Sequence, residues 1–156
     1  MDRVRRLLRS CLLTHDEMGG YLVRDHTGII YTTVEIGHHG GIDPVLPEIV
    51  DGQELIAWHS HPTQLAVSPP SPKDIHTMVL CHPSTIKFDF VIAPEGTYFI
   101  RSQVPLTDAI LEQYAQGWNE AYVDLARHPH LGPELDRLLD AYRAAGVEID
   151  FVPWNS

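Results

Sequence analysis

Hydrophobic and polar residues fall along this chain in blocks whose period changes several times. In the first dozen positions Val4, Leu7, Leu8, Cys11 and Leu12 recur at helical spacing, with Arg3, Arg5, Arg6 and Arg9 mostly on the other side. This predicts a first amphipathic helix. Gly19-Gly20-Tyr21-Leu22-Val23 reads as a short strand and Asp25-His26-Thr27-Gly28 as a hairpin connection. The β-branched and aromatic run from Ile29 to Ile36 reads as a second strand. Gly37-His38-His39-Gly40-Gly41, followed by Pro44 and Pro47, is a loop by its breakers. Leu55-Ile56-Ala57-Trp58 is a short apolar run of the kind a buried central strand uses. It delivers the chain into His59-Ser60-His61-Pro62.

Ser68-Pro69-Pro70-Ser71-Pro72 excludes regular structure and places a helix start just after it. Phe88 to Ala93 and Thr97 to Arg101 form a predicted hairpin turning on Pro94-Glu95-Gly96. From Thr107, Ile110, Tyr114, Trp118, Ala121, Tyr122 and Leu125 mark one face of a long helix. Pro133 opens another, with Leu135, Leu138, Leu139 and Tyr142 inward and Gly146 as its stop. Val147 to Val152 alternates as a last strand. The order α-β-β-β-α-β-β-α-α-β predicts an α/β fold, with one mixed sheet covered by helices. No internal repeat or linker divides the chain. A single domain over 1–156 is expected, with its core at about 1–105 and a helical extension at about 106–156.

Composition narrows the function classes. The 156 residues hold 11 Lys+Arg against 21 Asp+Glu, a formal charge of -10, which offers no basic face to a nucleic acid. The 2 Cys, Cys11 and Cys81, make neither a disulfide framework nor a zinc ribbon, so a cytoplasmic setting is expected. No apolar run approaches the roughly 18 residues of a membrane helix. The arginine-rich start is also compatible with a mitochondrial transit peptide. A first helix of the domain is the better reading, because cleavage there would remove the lead-in to Glu17.

The 10 histidines make a chance His-x-His pair easy to obtain, and the chain contains two, His59/His61 and His128/His130. Context separates them. Residues i and i+2 of a strand point to the same face, so His59 and His61 at a strand's end converge on one point. His128 and His130 straddle a proline between two predicted helices and read as a surface connection. A catalytic zinc takes three protein ligands and keeps one position open. The third candidate is Asp74, in Ser71-Pro72-Lys73-Asp74. That tetrapeptide is also an ordinary helix start, with Ser at N-cap, Pro at N1 and an acid at N3. The two readings are compatible, since a first helical turn presents a carboxylate rigidly. Glu17 stands where the first helix gives way to a strand and is the candidate general base; alone it would read as an exposed loop glutamate.

Together these residues resemble the JAMM (MPN+ or JAB) family of zinc metalloproteases. The family pattern is a glutamate before a Gly-rich strand, then His-Ser/Thr-His-Pro, then Ser-x-x-Asp. Here the pattern falls on Glu17 with Gly19-Gly20-Tyr21-Leu22, on His59 to Pro62, and on Ser71 to Asp74. The segment between His61 and Ser71, Pro62 to Pro70, is two residues longer than usual for the family, an insertion a Pro-rich loop tolerates. Ser68 is a poorer match than Ser71, because no acid stands three residues after it. Glu35 is a rival to Glu17 without the Gly-Gly-x-Leu that follows in the family.

The resemblance implies an MPN (JAB)-like domain with a curved mixed sheet. It implies one Zn²⁺ held by His59, His61 and Asp74, Glu17 as general base, and Ser71 as hydrogen-bond donor to the tetrahedral oxyanion. It also implies cleavage after the C-terminal glycine of ubiquitin or a ubiquitin-like protein, whose conjugates would be the partners. Between Arg24 and Lys73 there is no Lys or Arg, whereas Glu35, Asp43, Glu48, Asp51 and Glu54 lie inside. An acidic rim suits a basic peptide tail, and a merely solvated acidic loop has the same composition.

His-Glu-x-x-His, Gly-x-Ser-x-Gly, Walker A, Gly-x-Gly-x-x-Gly and Pro-Cys-x-x-Cys patterns are all missing. Ser60 points to the opposite face from its flanking histidines, so neither serves it in a hydrolase triad. His76, Cys81 and His82 read as packing residues rather than a second metal site. The alternatives are a non-catalytic MPN-type scaffold, or a JAB-type peptidase acting on sulfur-carrier or phage-tail proteins.

Overall fold

The structure, a computed structural model, describes residues 16–37, 42, 44–61, 68–76, 86–102, 133–144 and 146–154. The expected first helix, the helix from Thr107, and Cys81, His82, His128 and His130 lie outside the described residues. The chain is α/β. Seven described strands form one sheet: β1 (Met18–Asp25), β2 (Gly28–Thr32), β3 (Glu35–Ile36), β4 (Glu54–Ser60), β5 (Ile86–Ile92), β6 (Gly96–Ser102) and β7 (Val147–Pro153). Two described helices accompany it, α1 (Pro72–His76) and α2 (Pro133–Ala144). The strand order is β2-β1-β4-β5-β6-β7, with β3 also paired to β1. Among the described strands only β4 and β5 run parallel and every other pairing is antiparallel, so the sheet is mixed as expected. A parallel pair needs a crossover connection, and α1 lies within that crossover.

The run expected as one strand from Ile29 to Ile36 is two strands, broken at Thr33-Val34. The cause is tertiary. Gly20 lets β1 approach Thr33 so closely that a Cβ there would overlap the Thr33 carbonyl. Thr33 replaces ladder pairing with its own set of bonds. Its N–H donates to the Tyr21 carbonyl at 2.8 Å, and its Oγ1 accepts from the Tyr21 N–H at 2.8 Å. Gly20→Ala must push the 33–34 backbone away from β1. A loss of about 1–3 kcal/mol, the usual range for overpacking, is expected in denaturant unfolding; an unchanged midpoint would show that this junction yields freely.

Alternation sorts the sheet residues onto two faces. On one, α2 buries Leu135, Leu138, Leu139 and Tyr142 against Val91, Tyr98, Ile100, Val147 and Ile149. These four helix positions are the ones its periodicity selects, and α2 stops before Gly146 as expected. Ile75 of α1 is fully buried in the same cluster. The Tyr142 hydroxyl donates to the Pro70 carbonyl at 2.6 Å, which fastens the chain leading into α1. The other face gathers Leu22, Ile56, Trp58, Phe90 and Ile92. No helix among the described residues is long and apolar enough to cross a membrane.

Candidate metal centre

The apolar run at 55–58 extends as β4 through His59 and Ser60, and His61 is the first residue beyond it. His61 stays tied to the sheet because its N–H donates to the Ile92 carbonyl at 2.8 Å. Both imidazoles therefore leave the carboxyl end of β4 on one side, with their Nε2 atoms 3.0 Å apart. Ser60, between them, is fully buried and accepts the Met18 N–H on its Oγ at 3.0 Å. That bond is structural. It ties the start of β1 to the end of β4, alongside the Gly19–His59 pairing, and so brings Glu17 to the histidines. The Glu17 carbonyl is fixed as well, accepting from Gly37 N–H at 2.7 Å.

Asp74 arrives from the crossover. Its Oδ2 lies 3.2 Å from His61 Nε2 and its Oδ1 3.7 Å from His59 Nε2. The expected helix start is also present. Ser71 N–H and Ser71 Oγ both donate to Asp74 Oδ2 at 2.7 Å, and Asp74 N–H returns a bond to Ser71 Oγ at 3.2 Å. This reciprocal cap fixes the carboxylate, and burial of the adjacent Ile75 fixes the helix that presents it. The Ser71 hydroxyl, which the resemblance assigns to an oxyanion, points its proton at Asp74 here.

Burial pushes the Glu17 carboxyl above its ordinary value; the positive charge of His61 opposes this and the negative charge of Asp74 reinforces it. Burial also opposes ionisation of Asp74, but the hydrogen bond from His61 and the charges of both imidazoles hold it well below the usual carboxylate range. His61 is the converse. Desolvation lowers it, and the Asp74 bond and charge, with the Ser68 carbonyl, outweigh that and raise it.

Glu17, His59 and His61 each offer a ligand atom, and these atoms lie within 4.8 Å of one another. Asp74 adds a second carboxylate against the same two nitrogens. This donor set fits a metal ion. Two imidazole nitrogens at 2.0–2.1 Å from a tetrahedral zinc are about 3.3 Å apart, close to the 3.0 Å seen here. The His61 Nδ1–H donates to the Ser68 carbonyl at 3.0 Å, so in the neutral ring the Nε2 lone pair faces inward. Every residue singled out for the site is thus in one place: Glu17, His59, His61, Ser71 and Asp74. Glu95 was not anticipated. It packs behind this site, and its sequence context reads only as a turn.

No family model, curated protein or solved structure matches this chain.

Proposed function

We propose that this chain is a zinc metalloprotease of the JAMM type, hydrolysing the peptide or isopeptide bond after the C-terminal glycine of ubiquitin or a ubiquitin-like protein. One observation carries the reading. Three separated stretches of sequence deliver two imidazoles and two carboxylates to the carboxyl end of β4, and these are the residues on which the motif falls. His59, His61 and Asp74 would hold the ion. Bound zinc supplies Lewis acidity, which brings the pKa of water from 15.7 to about 7.

The chain's own residues supply the rest. Glu17, beside the imidazoles and already shifted upward by burial, accepts the proton of the attacking water and returns it to the leaving amine. Ser71 has two parts to play. Its amide holds Asp74 throughout, while its hydroxyl serves a developing oxyanion once the O–H turns away from Asp74 Oδ2. For the substrate tail, Glu48 and Asp51 are exposed acids near the site in sequence. Glu54 is paired with Arg24, and Glu35 accepts the Val45 N–H at 2.9 Å. The pairing of Glu54 with Arg24 leaves less uncompensated acidity for a basic tail than the bare count suggests.

The test is cleavage of a panel of ubiquitin, ubiquitin-like, sulfur-carrier and linear peptide substrates by zinc-loaded protein, with and without a chelator. Chelator-sensitive release at a C-terminal glycine is expected. Zinc-loaded protein that cleaves nothing across the panel would overturn the enzymatic reading in favour of a scaffold.

A further inference from the structure

Glu95 stands in the turn between β5 and β6, yet it is buried, at 8% exposure. Its Oε1 accepts two hydrogen bonds, from the Tyr98 hydroxyl at 2.7 Å and from the Ser68 N–H at 2.9 Å. Its Oε2 has no hydrogen-bond partner among the described residues. A turn does not require a buried carboxylate, and desolvating one is costly. Burial accordingly pushes Glu95 above its ordinary range, although the bonds from Tyr98 and Ser68 oppose the shift.

What the carboxylate holds is informative. Ser68 lies 27 positions upstream, in the crossover between β4 and β5 and ahead of α1. The backbone of Ser68 is gripped on both sides: its N–H donates to Glu95, and its carbonyl accepts the His61 Nδ1–H at 3.0 Å. The β5–β6 hairpin thus positions His61 twice, at its backbone through the Ile92 carbonyl and at its ring through Glu95 and Ser68. Tyr98 is fully buried under α2, so the far end of this chain is anchored in the core.

The geometry points to Glu95 as a positioning residue of the metal centre, holding Ser68 so that its carbonyl locks His61 with Nε2 turned toward His59 and Asp74. This rests on the reading of His59, His61 and Asp74 as metal ligands. Outer partners of ligating imidazoles fix the ring and tautomer, and losing one typically lowers metal affinity by about 10–100-fold. An ordinary turn glutamate would have no such effect.

The experiment compares zinc affinity, by competition with a chromophoric chelator, for wild type, Glu95→Ala, Glu95→Gln and Tyr98→Phe. Ile149→Val serves as a core variant remote from the loop. Glu95→Ala is expected to weaken zinc binding about 10–100-fold. Glu95→Gln keeps an acceptor oxygen for Ser68 and is expected to bind zinc nearly as wild type does, a rescue that general destabilisation does not give. Ile149→Val should leave affinity unchanged.

The second readout needs no metal: hydrogen exchange at the Ser68 amide, protected in wild type and exposed in Glu95→Ala. A folded Glu95→Ala with wild-type zinc affinity overturns the proposal, and so does unaltered Ser68 protection. If Glu95→Ala does not fold, affinity and exchange in Glu95→Gln and Tyr98→Phe decide. A Gln variant as defective as a non-binding ligand mutant rejects positioning through hydrogen bonds, and a Tyr98→Phe variant with unaltered Ser68 protection rejects the anchor. If wild type itself binds no zinc, the metal-centre reading fails, and the role of Glu95 toward a metal falls with it. Ser68 exchange then reports only whether Glu95 holds the loop.

Discussion

Asp74→Ala is expected to abolish stoichiometric zinc binding, and hydrolysis with it. His59 and His61 come from one strand end, and two nitrogens alone make a weak zinc site. In the proposed ligand set Asp74 is the third donor, a carboxylate that faces both Nε2 atoms and is held by Ser71 from its amide and hydroxyl. Removing it costs a ligand together with its preorganisation, so the loss of affinity should exceed the 10–100-fold typical of an outer partner. Metal analysis after dialysis, with circular dichroism to verify folding, checks this.

The metal-free protein should also change. There the folded-state pKa of His61 is raised, so its contribution to stability is full below about 6.5, the ordinary imidazole value, and is lost as pH rises through the raised value. Asp74 is shifted the other way: its contribution is present above 3.8 and is lost as pH falls through the lowered value. Metal-free wild type should therefore lose part of its stability on both sides of mildly acidic pH, and Asp74→Ala should flatten that profile. Full zinc content in Asp74→Ala would remove Asp74 from the ligand set and make Glu17 the third donor, since it already lies within 4.8 Å of both imidazoles.

The site was more legible in the sequence than the sheet around it, for a physical reason. A metal centre demands particular residue types, and the proposed ligands His59, His61 and Asp74 are of those types and carry local signals, a strand end and a helix cap. The apolar run at 55–58 and the 3.6-residue pattern at 133–144 are local signals too, and β4 and α2 follow them. The break at Thr33-Val34 has no local cause, because Gly20, on another strand, decides it. Strand composition also says nothing about cover. Ile29, Ile30 and Tyr31 form a strand as their side chains suggest, yet they are exposed because β2 is the outer strand of the described sheet. Glu95 was illegible for the same reason as Thr33: in Pro94-Glu95-Gly96 it reads as a turn residue, and its partner lies 27 positions away.

Glu17→Gln should separate base from ligand. The substitution keeps size and shape, and the backbone bonds that place the residue do not involve its side chain: Glu17 carbonyl to Gly37, and Met18 N–H to Ser60. Zinc content should therefore remain near wild type. Turnover should fall by about 10²–10⁴-fold, the usual worth of a positioned general base, because an amide cannot take a proton from water. Near-normal turnover would transfer the role to another acid. Glu35 is the nearest by sequence pattern, but its carboxylate is occupied with the Val45 N–H. Loss of zinc in Glu17→Gln would instead make Glu17 a ligand. Two carboxylates face the same pair of imidazoles, so activity alone cannot tell them apart, since losing a base and losing a metal would both silence the proposed hydrolysis. Metal content can: it should collapse in Asp74→Ala and persist in Glu17→Gln, and the reverse pattern would exchange the two roles.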